Sequence, residues 1–168
     1  MLSLFRKITH IIFPVKRNQY KFIKKYAKKI NDKKILEIGA GLGYKVEKFF
    51  PNSNEYTKTD LIESDGILQL DITEDKLKPI YDVIVCLNVL EHIFDYQAAL
   101  DNIYLGLKVE GFLFLSVPMF YPFHMLPDDY WRFTPFSLEK LLANYRKVII
   151  ETNGLKRYPY NINILAIK

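Results

Sequence analysis

The residues with the clearest chemical potential form one short stretch, Glu37-Ile38-Gly39-Ala40-Gly41-Leu42-Gly43, between an apolar segment and a predicted helix. Glycines at such a turn allow the backbone to bend sharply and to approach a ligand closely. A dinucleotide-binding fingerprint would need a further glycine at position 44, where the chain has Tyr44. The carboxylate of Glu37 would also repel a pyrophosphate. The stretch therefore favours a ligand that carries positive charge.

Two further carboxylates stand at the ends of the next two predicted strands. Asp60 ends the segment 55–60, and Asp71 ends the shorter segment 67–71. The first carboxylate is placed to accept hydrogen bonds from ribose hydroxyls, and the second from an exocyclic amine. Because the carboxyl ends of parallel strands meet at one edge of a sheet, all three features are predicted to face one crevice.

The elements that must position these groups alternate between strand and helix. Strands are predicted over 33–38, 55–60, 67–71, 82–87, 112–117, 147–152 and 164–168. Helices are predicted over 18–31, 44–50, 96–107 and 138–145, with Asp95 and Ser137 as N-caps of the last two. This order predicts an α/β fold in a single domain, with a doubly wound, mostly parallel seven-stranded sheet.

The amino-terminal segment is predicted to be an arm over 1–17, ahead of a domain over 18–168. Apolar residues in the first fifteen positions share a helical face, but Arg6, Lys7 and His10 interrupt them and no cleavage site follows, which excludes a signal peptide. Two interpretations of residues 1–15 remain open. The arm packs on the domain or on a second copy of the chain, or it lies on a membrane surface.

Composition narrows the class of protein further. The chain has 168 residues, of which 49% are hydrophobic, so it can bury a core and is not globally disordered. No apolar run approaches the roughly 18 residues that span a bilayer. The lone cysteine, Cys86, fits a reducing compartment, and a cytoplasmic location is expected. No spacing typical of metal ligands appears, so no metal is expected.

Together these motifs resemble those of class I S-adenosylmethionine-dependent methyltransferases. The likeness covers about residues 33–135 and rests on the stretches LEIGAGLG, TKTD, LDI and CLNVLEHIFD. The last stretch is similar to the V-L-E-H sequence after the fourth strand in the small-molecule branch of that family. The resemblance implies the Rossmann-like methyltransferase fold and S-adenosylmethionine as the cofactor.

The same resemblance implies a role for each motif. Glu37 orders the glycine loop near the methionine amine, Asp60 binds the ribose hydroxyls, and Asp71 meets the adenine amine. The other residues implied in the cofactor site are Gly39, Ala40, Gly41, Gly43, Leu61, Ile72, Asn88 and Val89.

An aromatic loop over 117–135 follows the fifth predicted strand, where α/β enzymes build substrate sites. It resembles the P-x-H-x-x-P-x-D-Y-x-R-[FY]-T-P segment of methyltransferases often found with glycan biosynthesis. Tyr130 and Trp131 offer flat apolar faces to a sugar-like ring, and Arg132 offers a fork for an anionic group. These three residues are the predicted substrate site.

Two histidines are candidate catalytic bases, because an unperturbed histidine titrates near 6.5. They are His124 in the aromatic loop and His92 in the V-L-E-H stretch. Structural alternatives stand beside each role. His92 would hold the strand–helix junction, His124 would hold a lid, and Arg132 would pair with Asp128 or Asp129.

The predicted function is methyl transfer from S-adenosylmethionine to an oxygen of a small-molecule or sugar-like acceptor, with no specific nucleic acid. The N/D-P-P-Y/F motif of amino-methylating enzymes is absent, and Leu87-Asn88-Val89-Leu90 stands in its place. An RNA or protein methyltransferase is the alternative that the lysine-rich segment 18–31 favours. A non-catalytic cofactor-binding module is a further alternative.

We expect the lysines of segment 18–31 to bind RNA weakly and without sequence preference. Each phosphate contact lowers the affinity by about 0.7 log units per log unit of salt, so binding should vanish near physiological salt. Fluorescence anisotropy with labelled single-stranded RNA across a salt series measures this. Sequence-selective binding that survives physiological salt would favour the RNA methyltransferase instead.

Overall fold

The computed structural model describes residues 14–28, 30–123 and 128–168. Three helices lie in these ranges: α1 (Val15–Ala27), α2 (Tyr96–Gly106) and α3 (Pro135–Leu141). The seven strands are β1 (Lys34–Ile38), β2 (Glu55–Asp60), β3 (Leu68–Gln69), β4 (Tyr81–Leu87), β5 (Leu107–Pro118), β6 (Lys147–Leu155) and β7 (Tyr158–Ile167).

All seven strands form one sheet, in the order β3-β2-β1-β4-β5-β7-β6. The first five pair in parallel, and β7 runs antiparallel between β5 and β6. Strand order reverses at β1, which has β2 on one side and β4 on the other, so a crevice opens there at the carboxyl edge. The predicted fold class is confirmed.

Two apolar layers cover the two faces of the sheet. On one face α1 packs Phe22, Ile23 and Ala27 against Val85 and Phe114 of the central strands. The other face carries a larger core built from α2 and α3 on the same strands. The continuous apolar sequence of β4 follows from this arrangement, because its side chains are buried on both faces.

The amphipathic pattern of α1 sets its orientation. Its apolar stripe is buried, while the lysines of the predicted helix stand on the exposed face wherever the structure describes them. The helix begins at Val15 and ends at Ala27, so it starts earlier and stops sooner than the predicted range 18–31. The boundary at residue 17 between arm and domain stays a prediction.

Helix caps explain the bounds of the later helices. Asp95 caps α2 as predicted, accepting a hydrogen bond from the amide of Ala98 at 3.0 Å. The prediction of Ser137 as the N-cap of α3 is wrong, because Thr134 is the N-cap. The Thr134 side chain accepts from the Ser137 amide, and the Ser137 side chain accepts from the Thr134 amide, which forms a capping box. With Pro135 at its first turn, the helix begins three residues earlier than its predicted start at 138.

Four other predicted elements differ from the structure. The helix expected over 44–50 is only a 3₁₀ turn at Glu47–Phe49, and the third strand is shortened to Leu68–Gln69. The last two strands reach toward each other as a hairpin, so only residues 156–157 connect them. The local apolar runs predicted only residues 147–152 and 164–168, whereas the hairpin pairing extends both strands into the polar sequence between these ranges.

Two predictions lie outside the described residues. They are the placement of the arm up to residue 13 and the role of His124. No helix among the described residues is long and apolar enough to cross a lipid bilayer.

Candidate active site

The glycine loop after β1 is held by the strands on either side of it. Gly39 has a φ of +78°, and its amide donates to the carbonyl of Thr59 on β2 at 2.9 Å. A Cβ atom added to Gly39 would lie 2.2 Å from Cγ2 of Val89, beyond the end of β4. Only glycine permits both this conformation and this close approach. The loop therefore lies at the end of β1, between β2 and β4, where the strand order of the sheet reverses.

Asp60 joins the same loop to the end of β2. Its Oδ2 accepts a hydrogen bond from the amide of Gly41 at 2.9 Å, and its Oδ1 accepts one from the amide of Leu61 at 2.8 Å. The carboxylate is half-buried, so it remains accessible from the crevice. Both amides fix its orientation, which is the preorganisation that recognition of a diol requires.

Helix α1 contacts the far side of the loop. Lys16 donates from Nζ to the carbonyl of Gly43 at 3.1 Å, and the Tyr20 hydroxyl accepts from the amide of Lys45 at 2.8 Å. Gly43 has a φ of +68°, and apart from its two chain neighbours no described residue has an atom within 4 Å of the position its Cβ would take. The described part of the chain therefore leaves space at Gly43.

Glu37 is buried at the end of β1. Its Oε2 accepts a hydrogen bond from the Tyr56 hydroxyl at 2.8 Å, which ties β1 to β2. Burial raises the pKa of the Glu37 carboxyl, while the hydrogen bond from Tyr56 and the charge of Lys58 act in the opposite direction. The carboxyl lies on the face that α1 covers, as its register opposite Lys58 and Val85 requires.

Asp71 stands in a turn two residues after β3 rather than at a strand end. Its Oδ1 accepts from the amide of Thr73 at 2.9 Å and from the Thr73 hydroxyl at 2.6 Å. These bonds lower the pKa of Asp71 and keep it charged. Ile72, beside it, is buried in the core. The turn therefore presents a fixed carboxylate at the β3 side of the crevice.

Asn88 and Val89 follow β4 on the opposite side. Asn88 has a φ of +54°, and its side-chain amide is engaged at both ends. Nδ2 donates to the Tyr44 hydroxyl at 2.8 Å, and Oδ1 accepts from Nε2 of Gln19 at 2.9 Å. The structure thus brings the predicted cofactor residues of β1, β2 and β4 together around one loop.

The predicted acceptor residues are pinned to the turn after β4. Nδ1 of His92 lies 2.6 Å from the carbonyl of Asp128, so this nitrogen carries the proton. The amides of Tyr130 and Trp131 both donate to the carbonyl of Glu91, at 2.9 and 3.2 Å. His92 therefore joins the turn after β4 to the chain at Asp128.

The side chains of Trp131 and Tyr130 differ in their surroundings. Trp131 donates from its indole nitrogen to the carbonyl of Ile93 at 3.1 Å, and its ring packs edge-on against Tyr96. Tyr130 is exposed, and its hydroxyl donates to Oδ2 of Asp128 at 2.9 Å. The Tyr130 ring is thus exposed, while the Trp131 ring packs against the residues after β4.

Arg132 forms a bidentate ion pair with Asp129, one arm of which measures 2.6 Å between Nη2 and Oδ2. The Asp129 side chain is only 3% exposed, whereas that of Arg132 is 22% exposed. The guanidinium also lies 5.3 Å from the centre of the Phe123 ring. Of the two aspartates considered as partners, the structure selects Asp129.

Glu91 is a residue to which the sequence analysis gave no role. Its side chain is fully buried, and neither carboxyl oxygen has a hydrogen-bond partner among the described residues. Nε2 of His92 lies 3.8 Å from Oε1. Burial raises the pKa of Glu91 to about 8, and the charge of Asp129 adds to the shift while that of Arg132 opposes it. An acidic residue four positions after an apolar strand, next to Leu90, was the available signal.

Among the described residues, no group of three or more His, Cys, Asp or Glu side chains is placed to hold a metal ion. Cys86 is buried in β4, and burial raises the pKa of its thiol. It packs as a small apolar residue.

A sequence model described as a methyltransferase domain matches residues 12–145. The chain belongs to this methyltransferase family. The match includes the glycine loop, Asp60, the turn after β4 and the aromatic loop over 117–135. No curated protein matches the sequence at a significant level.

Solved methyltransferase structures share the fold. A SAM-dependent methyltransferase from Archaeoglobus fulgidus is 17% identical, with a TM-score of 0.70 over 92% of this chain and 93% of that chain. A 1,6-didemethyltoxoflavin-N1-methyltransferase from Burkholderia thailandensis, solved with S-adenosylhomocysteine, is 17% identical, with a TM-score of 0.71 over 99% and 86%. An S-adenosylmethionine-dependent methyltransferase from Mesorhizobium loti is 11% identical, with a TM-score of 0.69 over 89% and 97%. The fold is that of the class I enzymes.

The Glu91 carboxyl makes stability depend on pH. The native state keeps a proton that the unfolded chain releases, so this group lowers stability as pH rises from about 4.5 to about 8. The side chain in Glu91→Gln stays neutral throughout. The difference in free energy of unfolding, variant minus wild type, should therefore be larger at pH 8 than at pH 5. Urea unfolding at both pH values measures this. An equal difference at the two pH values would mean that Glu91 is already ionised in the native state at pH 5.

Proposed function

We propose that this methyltransferase moves the methyl group of S-adenosylmethionine to an oxygen of a small-molecule or sugar-like acceptor. The observation that carries the cofactor assignment is the joint fixation of the glycine loop and Asp60. A carboxylate held by the amide of Gly41 in the loop and by that of Leu61, beside an open glycine backbone, suits a ribose that lies across the loop.

The described residues fit the cofactor in three respects. Gly39 and Gly41 leave no room for a Cβ on the inner side of the loop, whereas the space at Gly43 is open. Asp60 would accept the ribose hydroxyls, and the fixed Asp71 carboxylate would face the adenine amine. The exposed side chain of Leu61, next to Asp60, would cover the base. We assign the remaining predicted cofactor residues, Glu37, Ala40, Ile72, Asn88 and Val89, to the same site.

The cofactor supplies a methyl group on a sulfonium sulfur, which an acceptor atom displaces in line. Charge disperses during this displacement, so the protein contributes mainly orientation and exclusion of water. A hydroxyl acceptor also needs a base. We keep His124 and His92 as the candidates; Nδ1 of His92 lies against the Asp128 carbonyl.

The acceptor is proposed to bind beside the aromatic segment over the turn after β4. Tyr130 presents its ring edge-on to Phe94, and both rings are largely exposed, which forms a surface for a flat or ring-shaped molecule. The small-molecule class also agrees with the Burkholderia thailandensis enzyme, whose substrate is 1,6-didemethyltoxoflavin. Incubation of acceptor pools with S-adenosylmethionine, read out as S-adenosylhomocysteine, tests the proposed reaction.

The cofactor assignment predicts that S-adenosylhomocysteine binds in the micromolar range. Asp60→Ala should weaken this binding by about 1.5–3 kcal/mol, because it removes charged hydrogen bonds and frees the amide of Gly41. Isothermal calorimetry measures both affinities. Asp65→Ala is the control. It removes an exposed carboxylate between β2 and β3, and its affinity for S-adenosylhomocysteine should equal that of the wild type. Tighter binding of NAD than of S-adenosylhomocysteine by the wild type would replace the assignment with a dinucleotide site.

Arg132 has a structural partner as well as a proposed role in acceptor binding. Arg132→Ala should cost about 2–4 kcal/mol of stability, because it leaves the buried Asp129 without its guanidinium. Arg132→Lys keeps the positive charge but loses the bidentate geometry of the guanidinium. Its melting temperature should lie closer to that of the wild type, and its KM for the acceptor should be higher than that of the wild type. Thermal melts beside steady-state kinetics separate the effects. Unchanged KM in folded Arg132→Lys would remove Arg132 from the acceptor site.

A further inference from the structure

A buried polar network lies between α1 and the carboxyl ends of the central strands. Gln19 is fully buried, and its Nε2 donates to Oδ1 of Asn88 at 2.9 Å and to Oγ of Ser116 at 2.7 Å. Nδ2 of Asn161 donates to the same serine oxygen at 2.9 Å. Asn88 continues the network to the Tyr44 hydroxyl at 2.8 Å. One helical side chain thus connects the ends of β4 and β5.

Two buried oxygens of this network lower its contribution to stability. Oε1 of Gln19 and Oδ1 of Asn161 are buried and accept no hydrogen bond from any described residue. Each such atom costs about 1–3 kcal/mol of desolvation. The neighbouring buried positions of α1 are apolar, namely Val15, Phe22, Ile23 and Ala27. An apolar residue at position 19 would continue their stripe without this cost.

The network ends at Asn88, in the turn after β4. Asn88 has a φ of +54°, the left-handed conformation that asparagine adopts more readily than most residues other than glycine. Its side-chain amide is held at the oxygen by Gln19 and at the nitrogen by Tyr44. Burial raises the pKa of Tyr44 to about 12, so its hydroxyl stays neutral and continues to accept this bond. Gln19 and Tyr44 together therefore set the orientation of Asn88.

The sheet order indicates which part of the cofactor lies near Asn88. Neighbouring strands are about 4.8 Å apart, and β1 separates β2 from β4. With the ribose at Asp60 on β2 and the adenine toward β3, the other half of the molecule extends across the glycine loop. Its amino-acid end then reaches the β4 side, where Asn88 stands.

We propose that Gln19 is a positioning residue for the cofactor: it orients Asn88 and thereby sets the affinity for the amino-acid half of S-adenosylmethionine. The inference rests on the proposed function, since it assumes that cofactor. Gln19 acts through Asn88, because its own side chain is inaccessible. Helix α1 is then part of the cofactor site rather than only a cover for the sheet.

The test compares two ligands that differ only in the amino-acid half. S-adenosylhomocysteine carries it, and 5′-methylthioadenosine lacks it. In Gln19→Met, an apolar residue of similar length, the affinity for S-adenosylhomocysteine should fall about tenfold. The affinity for 5′-methylthioadenosine should stay unchanged. The free energy of unfolding should change little, because the variant removes the buried Oε1 that has no partner among the described residues but also removes the donor to Asn88 and Ser116. Calorimetry and urea unfolding give these values.

A second variant keeps the test decisive if Gln19→Met folds poorly. Asn88→Gly retains the backbone conformation and removes the side chain that Gln19 orients, so it should show the same selective loss. Gln19→Met combined with Asn88→Gly should lose no more than Asn88→Gly alone, because both changes act on one contact. Asn163→Val is the matched control. Asn163 is also buried with an unpartnered oxygen, but its amide contacts Asn153 and not Asn88.

The outcomes separate this inference from the function on which it rests. Wild type that binds neither ligand would overturn the cofactor assignment and the inference with it. Wild type that prefers S-adenosylhomocysteine, with the preference intact in Gln19→Met or in Asn88→Gly, would overturn the inference alone. So would equal wild-type affinity for the two ligands, or an equal loss in Asn163→Val.

Discussion

The close approach of the glycine loop to the turn after β4 is the constraint on which the site depends. Val89 packs over Gly39 at a distance that excludes any side chain there, and the amide of Gly39 is bound to β2. The loop therefore cannot shift without moving both neighbouring strands. This fixes the position of Asp60, since its carboxylate is bound to the same loop.

Helix α1 brings the other faces of the site into one unit. Lys16 holds the end of the glycine loop, Tyr20 holds the residue two positions further on, and Gln19 holds the turn after β4. The same helix buries an apolar stripe against the sheet, so packing energy is available to order these polar contacts. The same helix thus carries the polar contacts to the site and the apolar packing against the sheet. The packing offsets the free-energy cost of ordering the polar side chains.

The sequence was sufficient for the fold and for the prediction that the glycine loop and Asp60 lie together at one edge of the sheet, because both follow from local patterns: buried apolar strands and short turns that end in glycine or aspartate. It was insufficient where tertiary contacts decide. The lysine-rich helix showed an amphipathic face, yet nothing local indicated that Gln19 would reach Asn88. Glu91 was overlooked because a carboxylate is expected at the surface, whereas the chain buries it beneath the acceptor segment. Ser137 gave way to Thr134 as a cap because Pro135 begins the helix earlier.

The two edges of the sheet bear on association between chains. An exposed strand edge can pair with another molecule and start aggregation. Here one edge is β3, which has only two residues, and the other is β6, whose partly exposed side chains include Lys147 and Glu151. A register shift at Asn153/Gly154, where Gly154 has a φ of +122°, bends the end of β6. Both edges therefore offer poor templates for a further strand, which protects the chain against edge-to-edge aggregation.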